Sequence, residues 1–259
     1  MKTNYIKEIN NSKVYDVAEI TPISLLNKIS TKYDNNVFLK REDLQPIFSF
    51  KCRGAYNKIS SLSTDQRLKG IIAASAGNHA QGVALSANKL NINTLIVMPT
   101  TTPSIKIESV KKFGVKVLLY GDSFDEAYEH ALEIAEKDER IFIHPFDDPL
   151  VIAGQGTVAK EIVEQTKVKP DIFFIPVGGG GLISGMSVYL KKHYPNSKIY
   201  GVESEDAPTL YSALKNGKPT RLDQVGLFVD GCAVKKIGEE TFKISKKYVD
   251  GVILVSIDE

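Results

Sequence analysis

Ser49-Phe50-Lys51 holds an oddly placed cation. Lys51 follows an apolar stretch and opens a segment of helical character that runs to about Leu62. The first turn of a helix carries free N–H groups and partial positive charge, so a lysine there is electrostatically out of place. A lysine partly withdrawn from water beside positive potential gives up its proton more easily and becomes a neutral nucleophile, suited to a Schiff base. The competing reading is an ordinary surface cation, in a chain with 33 lysines and arginines. Two other stretches weigh against it. Ser75-Ala76-Gly77-Asn78-His79 follows the apolar run at residues 70–74, and Gly178-Gly179-Gly180-Gly181 follows the apolar run at residues 171–177. Both sit where a strand ends and a helix starts, the place where open α/β sheets bind ligands.

Four consecutive glycines weaken any regular element, and are tolerable where a ligand must approach bare backbone N–H groups. Followed by a helix, they form an anion nest for phosphate. The dinucleotide pattern G-x-G-x-x-G fails, because its last position is Ile183 counted from Gly178 and Ser184 counted from Gly179. Glu203, at the end of the next strand, is the one feature that favours a dinucleotide. The P-loop pattern also fails. A ligand with one terminal phosphate fits better, and with Lys51 it points to pyridoxal phosphate, whose ring acts as an electron sink. Asn78 is placed to meet the ring's 3-oxygen, and the N–H groups of Ser75, Ala76, Gly77, Asn78 and His79 to hold a substrate carboxylate. The His79 ring invites a general-base role, but a packed or capping histidine is the preferred reading, since Lys51 can serve as base. Asp147 and Asp148 invite a metal; a solvated proline loop is preferred, and no metal site is expected.

These residues need elements to position them. Apolar runs at 70–74, 93–98, 116–120 and 141–143 read as buried strands, separated by amphipathic stretches Asn78–Leu90, Ser104–Phe113 and Ser123–Glu136. Ser104 and Ser123 read as N-caps, Ser123 with a capping-box Glu126, and Gly114 as a helix terminus. Strands alternating with helices of this length predict βαβ units and a parallel sheet. Earlier, a helix is predicted around Ile23–Ile29, begun by Thr21-Pro22, and a strand at Val37–Lys40. His144–Pro149 breaks the pattern and predicts a crossing between two sheets. Helix is then expected over Val151–Gln165, strand at 171–177, helix over Leu182–Tyr194, strand over Lys198–Glu203, and helix from Pro208 to the Asn216-Gly217 stop. Residues 218–237 read as irregular, Gly238–Lys247 as helix and Gly251–Val255 as a last strand. A parallel sheet usually continues beyond such a strand, so the catalytic unit is expected to be incomplete at residue 259.

The 259 residues suffice for one large domain or two smaller ones, and 42% hydrophobic content supports a packed core. A net charge of +2 offers no case for nucleic acid. Cys52 and Cys232 make neither a metal motif nor a disulfide framework. No apolar signal core and no membrane-length apolar run is present, which predicts a cytoplasmic protein.

The segments around Lys51, Ser75–Gly82 and Pro176–Leu182 resemble the signatures of fold-type II pyridoxal-phosphate enzymes, of tryptophan synthase beta-like architecture. Within that group they resemble the biosynthetic threonine dehydratases (threonine ammonia-lyases). Lys40-Arg41-Glu42-Asp43, Val97-Met98-Pro99, Val151–Thr157 and Val225-Gly226-Leu227-Phe228 extend the resemblance over nearly the whole chain. The resemblance implies an α/β fold of two parallel-sheet domains: a large one from residues 1–51 and 148–259, and a small one from 52–147. It implies pyridoxal phosphate on Lys51, the ring oxygen at Asn78, and the phosphate at Gly178, Gly179, Gly180, Gly181 and Leu182. It implies deamination of L-threonine, and also of L-serine, to a 2-oxo acid and ammonia in isoleucine biosynthesis, by a homo-oligomer. A serine that meets the pyridine nitrogen, and an isoleucine-sensing domain, would lie beyond residue 259. Cys52 stands where the family often has an aliphatic residue and reads as a buried packing change. Related racemases carry a serine where Ala76 stands, and an acidic metal ligand where Thr209 stands, so neither racemisation nor that metal is carried over. Another fold-type II enzyme, such as a catabolic threonine/serine dehydratase, a serine racemase or a sulfhydrylase, is the alternative; an NAD oxidoreductase or an inactive scaffold are more distant ones.

Overall fold

The computed structural model describes residues 3–226 and 228–259. Leu227, within one of the resemblance motifs, lies outside the described residues. Among the described residues, nine strands fall into three sheets. β1 (Ile23–Leu25) and β2 (Phe38–Lys40) pair antiparallel. β3 (Ile71–Ala74), β4 (Thr94–Met98), β5 (Lys116–Leu119) and β6 (Ile141–Phe142) form a parallel sheet in the order β5-β4-β3-β6. β7 (Ile172–Pro176), β8 (Lys198–Ser204) and β9 (Gly251–Val255) form a second parallel sheet in chain order. The proline loop at His144–Pro149 does lie between the two, joining β6 to the helix that precedes β7.

The helices are α1 (Tyr5–Asn10), α2 (Asn27–Tyr33), α3 (Lys51–Ser60), α4 (Thr64–Lys69), α5 (Asn78–Leu90), α6 (Ser104–Lys111) and α7 (Phe124–Lys137), followed by α8 (Pro149–Gln165), α9 (Gly181–His193), α10 (Thr209–Asn216) and α11 (Glu239–Tyr248). Ser123 caps α7 with the full capping box. Gly114 and Gly217 adopt positive φ where α6 and α10 end. Two expectations need correction, and one helix was not foreseen. Ile23–Leu25 is strand, because its backbone pairs with Phe38–Lys40, and the helix starts only at Asn27. Pro103 rather than Ser104 precedes α6, and the Ser104 side chain makes no capping bond. The capping box Ser63/Gln66 builds α4, a helix the apolar periodicity did not show.

Two large cores result. Ile59, Ile71, Ala73, Val83, Ile96 and Met98 pack between α3, α5 and the four-stranded sheet. Ile9, Val158, Ile175, Ile183, Leu190 and Ile199 pack between α1, α8, α9 and the three-stranded sheet. α3 touches both α5 and α8. Its crossing with α8 depends on close backbone approach: a Cβ on Gly154 would stand 2.7 Å from the carbonyl oxygen of Arg53 and from the Cα of Gly54. The helix that starts at Lys51 is thereby wedged between the two cores.

Candidate active site

Lys51 is the first residue of α3, half-buried, and its ammonium lies 5.4 Å from the centre of the Phe50 ring. Its Nζ donates to the carbonyl of Pro145 at 3.2 Å. Among the described residues no carboxylate pairs with the amine. Burial pulls its pKa down to about 8, and the nearby Cys232 thiol opposes this only weakly. The helix α5 approaches this point closely, since a Cβ on Gly82 would come within 2.9 Å of the Lys51 carbonyl oxygen.

At the start of α5, Asn78 is exposed and its amide is unpartnered among the described residues. Of the N–H groups expected to hold a carboxylate, two are already used. Ser75 N–H donates to Val97 O at 3.1 Å, and Gly77 N–H to Ser75 Oγ at 3.2 Å. Those of Ala76, Asn78 and His79 have no partner among the described residues. The His79 ring is buried, with Nε2 2.9 Å from the carbonyl of Ile143, a contact that requires a proton on Nε2. Burial, then the Lys51 and His144 charges, lower its pKa to about 3, against the pull of the Ile143 carbonyl. This is a packed, neutral histidine, not a general base.

The glycines sit opposite. Gly180 has φ +88°, accessible to few L side chains. Packing excludes a side chain at Gly179, where a Cβ would collide with the Phe146 ring, and crowds the other two: a Cβ on Gly181 would lie 3.0 Å from Phe146 Cβ, and one on Gly178 3.1 Å from Cys232 Cα. Protein crowding at the back of the loop therefore adds to the need for ligand approach that its sequence suggests, most strictly at Gly179. The N–H groups of Gly179 and Gly180 have no partner among the described residues.

Asp147 and Asp148 are helix caps, not a solvated pair. Asp148 accepts from Leu150 and Val151 N–H at the start of α8 and pairs with Lys58 at 2.7 Å. Asp147 accepts from Glu239, Glu240 and Thr241 N–H, at 2.9–3.1 Å, and so caps α11. His144 Nδ1 accepts from Phe146 and Asp147 N–H, which fixes the loop. Asp148 before a proline is a readable cap signal. The reach of Asp147 to a helix some ninety residues onward is not, nor are the positions of Pro145, Phe146 and Cys232 around the amine. Glu203, the lone dinucleotide cue, is buried and accepts from Thr209 Oγ1, Leu210 N–H and Tyr211 N–H at 2.8, 2.8 and 2.9 Å. It has no oxygen facing solvent for a ribose. Cys52 is fully buried, its thiol pushed up to about 12 by that burial. Among the described residues no group of three or more His, Cys, Asp or Glu could hold a metal ion, and no helix is long and apolar enough to cross a membrane.

The sequence model of the pyridoxal-phosphate dependent enzymes matches residues 14–259. The chain belongs to that family. Its relatives include the biosynthetic L-threonine dehydratase IlvA of Pasteurella multocida, 55% identical over 255 residues, which are 98% of this chain and 50% of that protein. The biosynthetic chloroplastic threonine dehydratase of Arabidopsis thaliana is 53% identical over 98% of this chain and 43% of its own. The processed form of threonine deaminase isoform 2 from Solanum lycopersicum superposes with a TM-score of 0.95 at 51% identity, over 97% of this chain and 73% of that one. Maize serine racemase gives 0.92 at 31% identity, over 98% and 76%. The chain spans about half the length of the curated relatives it matches.

For a pyridoxal-phosphate dependent enzyme the residues present fit the cofactor. An amine with a lowered pKa, an open amide at Asn78 and the unpartnered N–H groups of the glycine loop would supply a covalent anchor, a ring-oxygen donor and a phosphate nest.

Proposed function

We propose that this chain carries the catalytic centre of a cytoplasmic, homo-oligomeric threonine ammonia-lyase, which converts L-threonine to 2-oxobutanoate and ammonia and also accepts L-serine. The observation that carries the reading is Lys51: a buried amine with a depressed pKa, unopposed by any carboxylate among the described residues and hydrogen-bonded to Pro145, next to the Phe146 that packs on the glycine loop. The names of its relatives give the substrate. We assign the two functional units as residues 1–51 with 148–259, and 52–147, with the reacting groups between them.

Lys51 is the cofactor's attachment point and the base. Gly178 to Gly181 and Leu182 hold the phosphate, and Asn78 the ring oxygen. The free N–H groups of Ala76, Asn78 and His79, at the positive end of α5, bind the substrate carboxylate, with Ser75 and Gly77 shaping that turn. When bound, pyridoxal phosphate supplies an electron sink for the pair left behind on loss of the α-proton. Nζ of Lys51 takes that proton, and the lone pair it needs is available because burial suppresses its protonation. The β-hydroxyl takes up a proton from the Lys51 ammonium and leaves as water, and the released enamine hydrolyses to the 2-oxo acid and ammonia.

In full-length protein, Lys51→Ala is expected to lose the near-violet absorbance of lysine-bound cofactor and several orders of magnitude of 2-oxobutanoate production. An unchanged spectrum would rule the assignment out. The likeness to maize serine racemase raises racemisation as a second reading. Ala76 has no proton to deliver to the face of the α-carbon opposite Lys51, so incubation with L-serine should yield pyruvate without D-serine. Appreciable D-serine would favour the racemase reading.

A further inference from the structure

The back of the glycine loop is gripped by two hydroxyls from different helices. Thr209, the first residue of α10, places its Oγ1 2.8 Å from the carbonyl oxygen of Gly178. Thr241, in the first turn of α11, donates to the carbonyl of Gly179, also at 2.8 Å; the carbonyl of Gly238 is a longer alternative at 3.2 Å. Both threonines are fully buried. A trans peptide unit is planar, with its C=O and N–H pointing in opposite directions. Pinning the Gly178 carbonyl toward α10 therefore turns the N–H of Gly179 the other way, and pinning the Gly179 carbonyl toward α11 does the same for the N–H of Gly180. Both N–H groups are without a partner among the described residues, as are those of Gly178, Gly181 and Leu182 beside them. Without side chains, the glycines have little of their own to hold this arrangement.

We infer that Thr209 and Thr241 are positioning residues for the cofactor phosphate, their hydroxyls holding the carbonyls of the glycine loop backwards so that its N–H groups converge forwards as an anion nest. This rests on the assignment of the loop to the phosphate. Thr241 is itself held: its N–H donates to Asp147 at 3.1 Å, and its carbonyl accepts from Ser184 Oγ at 2.9 Å. The clamp thus runs from the proline loop through α11 to the glycines. Thr209 is shared, because its single proton serves either Gly178 or Glu203, whose carboxyl also lies 2.8 Å away. Thr241 has the closer preference for its glycine and is the stronger of the two.

The test compares a ligand with the phosphate and one without it. Full-length protein is loaded with pyridoxal phosphate or with pyridoxal, and the dissociation constant of each is read from the near-violet absorbance. Thr241→Val keeps the shape and removes the donor. It should weaken pyridoxal phosphate about tenfold, the scale of one lost hydrogen bond, leaving only the long 3.4 Å contact from Gly238 N–H on the Gly179 carbonyl, while pyridoxal binding stays unchanged. Thr209→Val should act in the same direction and more weakly, and Thr241→Ser should restore the wild-type value. The phosphorus resonance of bound cofactor should shift in Thr241→Val and return in Thr241→Ser. Equal weakening of both ligands would make the threonine merely structural, and undiminished phosphate affinity in Thr241→Val would overturn the clamp. Wild-type protein that binds pyridoxal as tightly as pyridoxal phosphate would instead overturn the phosphate assignment on which the clamp stands.

Discussion

At the scale of single residues, burial does most of the chemical tuning. Lys51 has its pKa lowered to about 8, so about half of it is neutral at that pH, whereas a lysine at the ordinary 10.5 is almost wholly charged. Reductive methylation of the cofactor-free full-length protein should label Lys51 with a midpoint near pH 8, well below that of exposed lysines; a midpoint near 10.5, read by mass spectrometry, would contradict the desolvated amine. For stability, His79 acts in the same sense as Lys51, in a lower pH window. Its ring stays unprotonated in the folded state down to about pH 3, while in the unfolded chain it takes a proton near 6.5. Below pH 6.5 the unfolded state binds the extra proton, so folding stability falls as pH drops through that window, at up to about 1.4 kcal/mol per pH unit for one group. His144, also lowered by its burial, adds to the same trend. Chemical denaturation between pH 7 and 4 should show a shallower decline for His79→Gln than for the wild type, and equal slopes would mean that the imidazole titrates normally.

At the scale of elements, α3 is anchored by charge as well as by packing. Arg53, two residues after Lys51, is wholly buried and pairs with Glu42 at 2.8 Å and Glu161 at 2.5 Å, while Lys40 pairs with Glu161 at 2.6 Å. Two cations and two anions balance, which is why such a group is tolerated out of water. The Lys40–Asp43 stretch, which carries part of the family resemblance, is therefore a tether between β2, α3 and α8. Arg53→Met should cost about 3–5 kcal/mol in urea unfolding, because it strands buried carboxylates, and Arg53→Lys should fall between it and the wild type. A loss below about 1 kcal/mol, the usual value of an exposed pair, would show that water reaches this site.

At the scale of the whole molecule, the three-stranded sheet has one covered and one open face. Ile172, Phe174 and Ile253 are exposed, 61% in the case of Phe174, and Phe174 stacks on Tyr200 of the neighbouring strand at 6.2 Å. β9 has β8 on one side and no strand on the other among the described residues. Parallel sheets are ordinarily covered on both faces, and open apolar faces and edges favour association. Residues 1–259 expressed alone should self-associate in light scattering, and Phe174→Lys should reduce it. A monodisperse 259-residue chain would show that this face is tolerated by itself.

Much of this was determined locally and could be read from the sequence. Strands at Ile71–Ala74 and Gly251–Val255, helix Asn78–Leu90 and the Ser123 capping box depend on apolar runs and on side chains within a turn of the backbone they serve. The candidate site was legible because Lys51 opens a helix and Asn78 and the glycines sit at strand-to-helix junctions, each a local signal. What tertiary structure decided depends on partners far apart in the chain. Ile23–Leu25 became strand because Phe38–Lys40 lay alongside, and Asp147 became the cap of α11 although its own neighbours are prolines and loop. Gly179 is glycine because of the Phe146 ring, and the direction of its neighbour's N–H depends on Thr241. The sign of the shift at Lys51 was readable from its position; the amine's bond to Pro145 and its lack of a carboxylate were not. Burial and hydrogen-bond direction are properties of what packs around a group, and residues tens of positions away supply that.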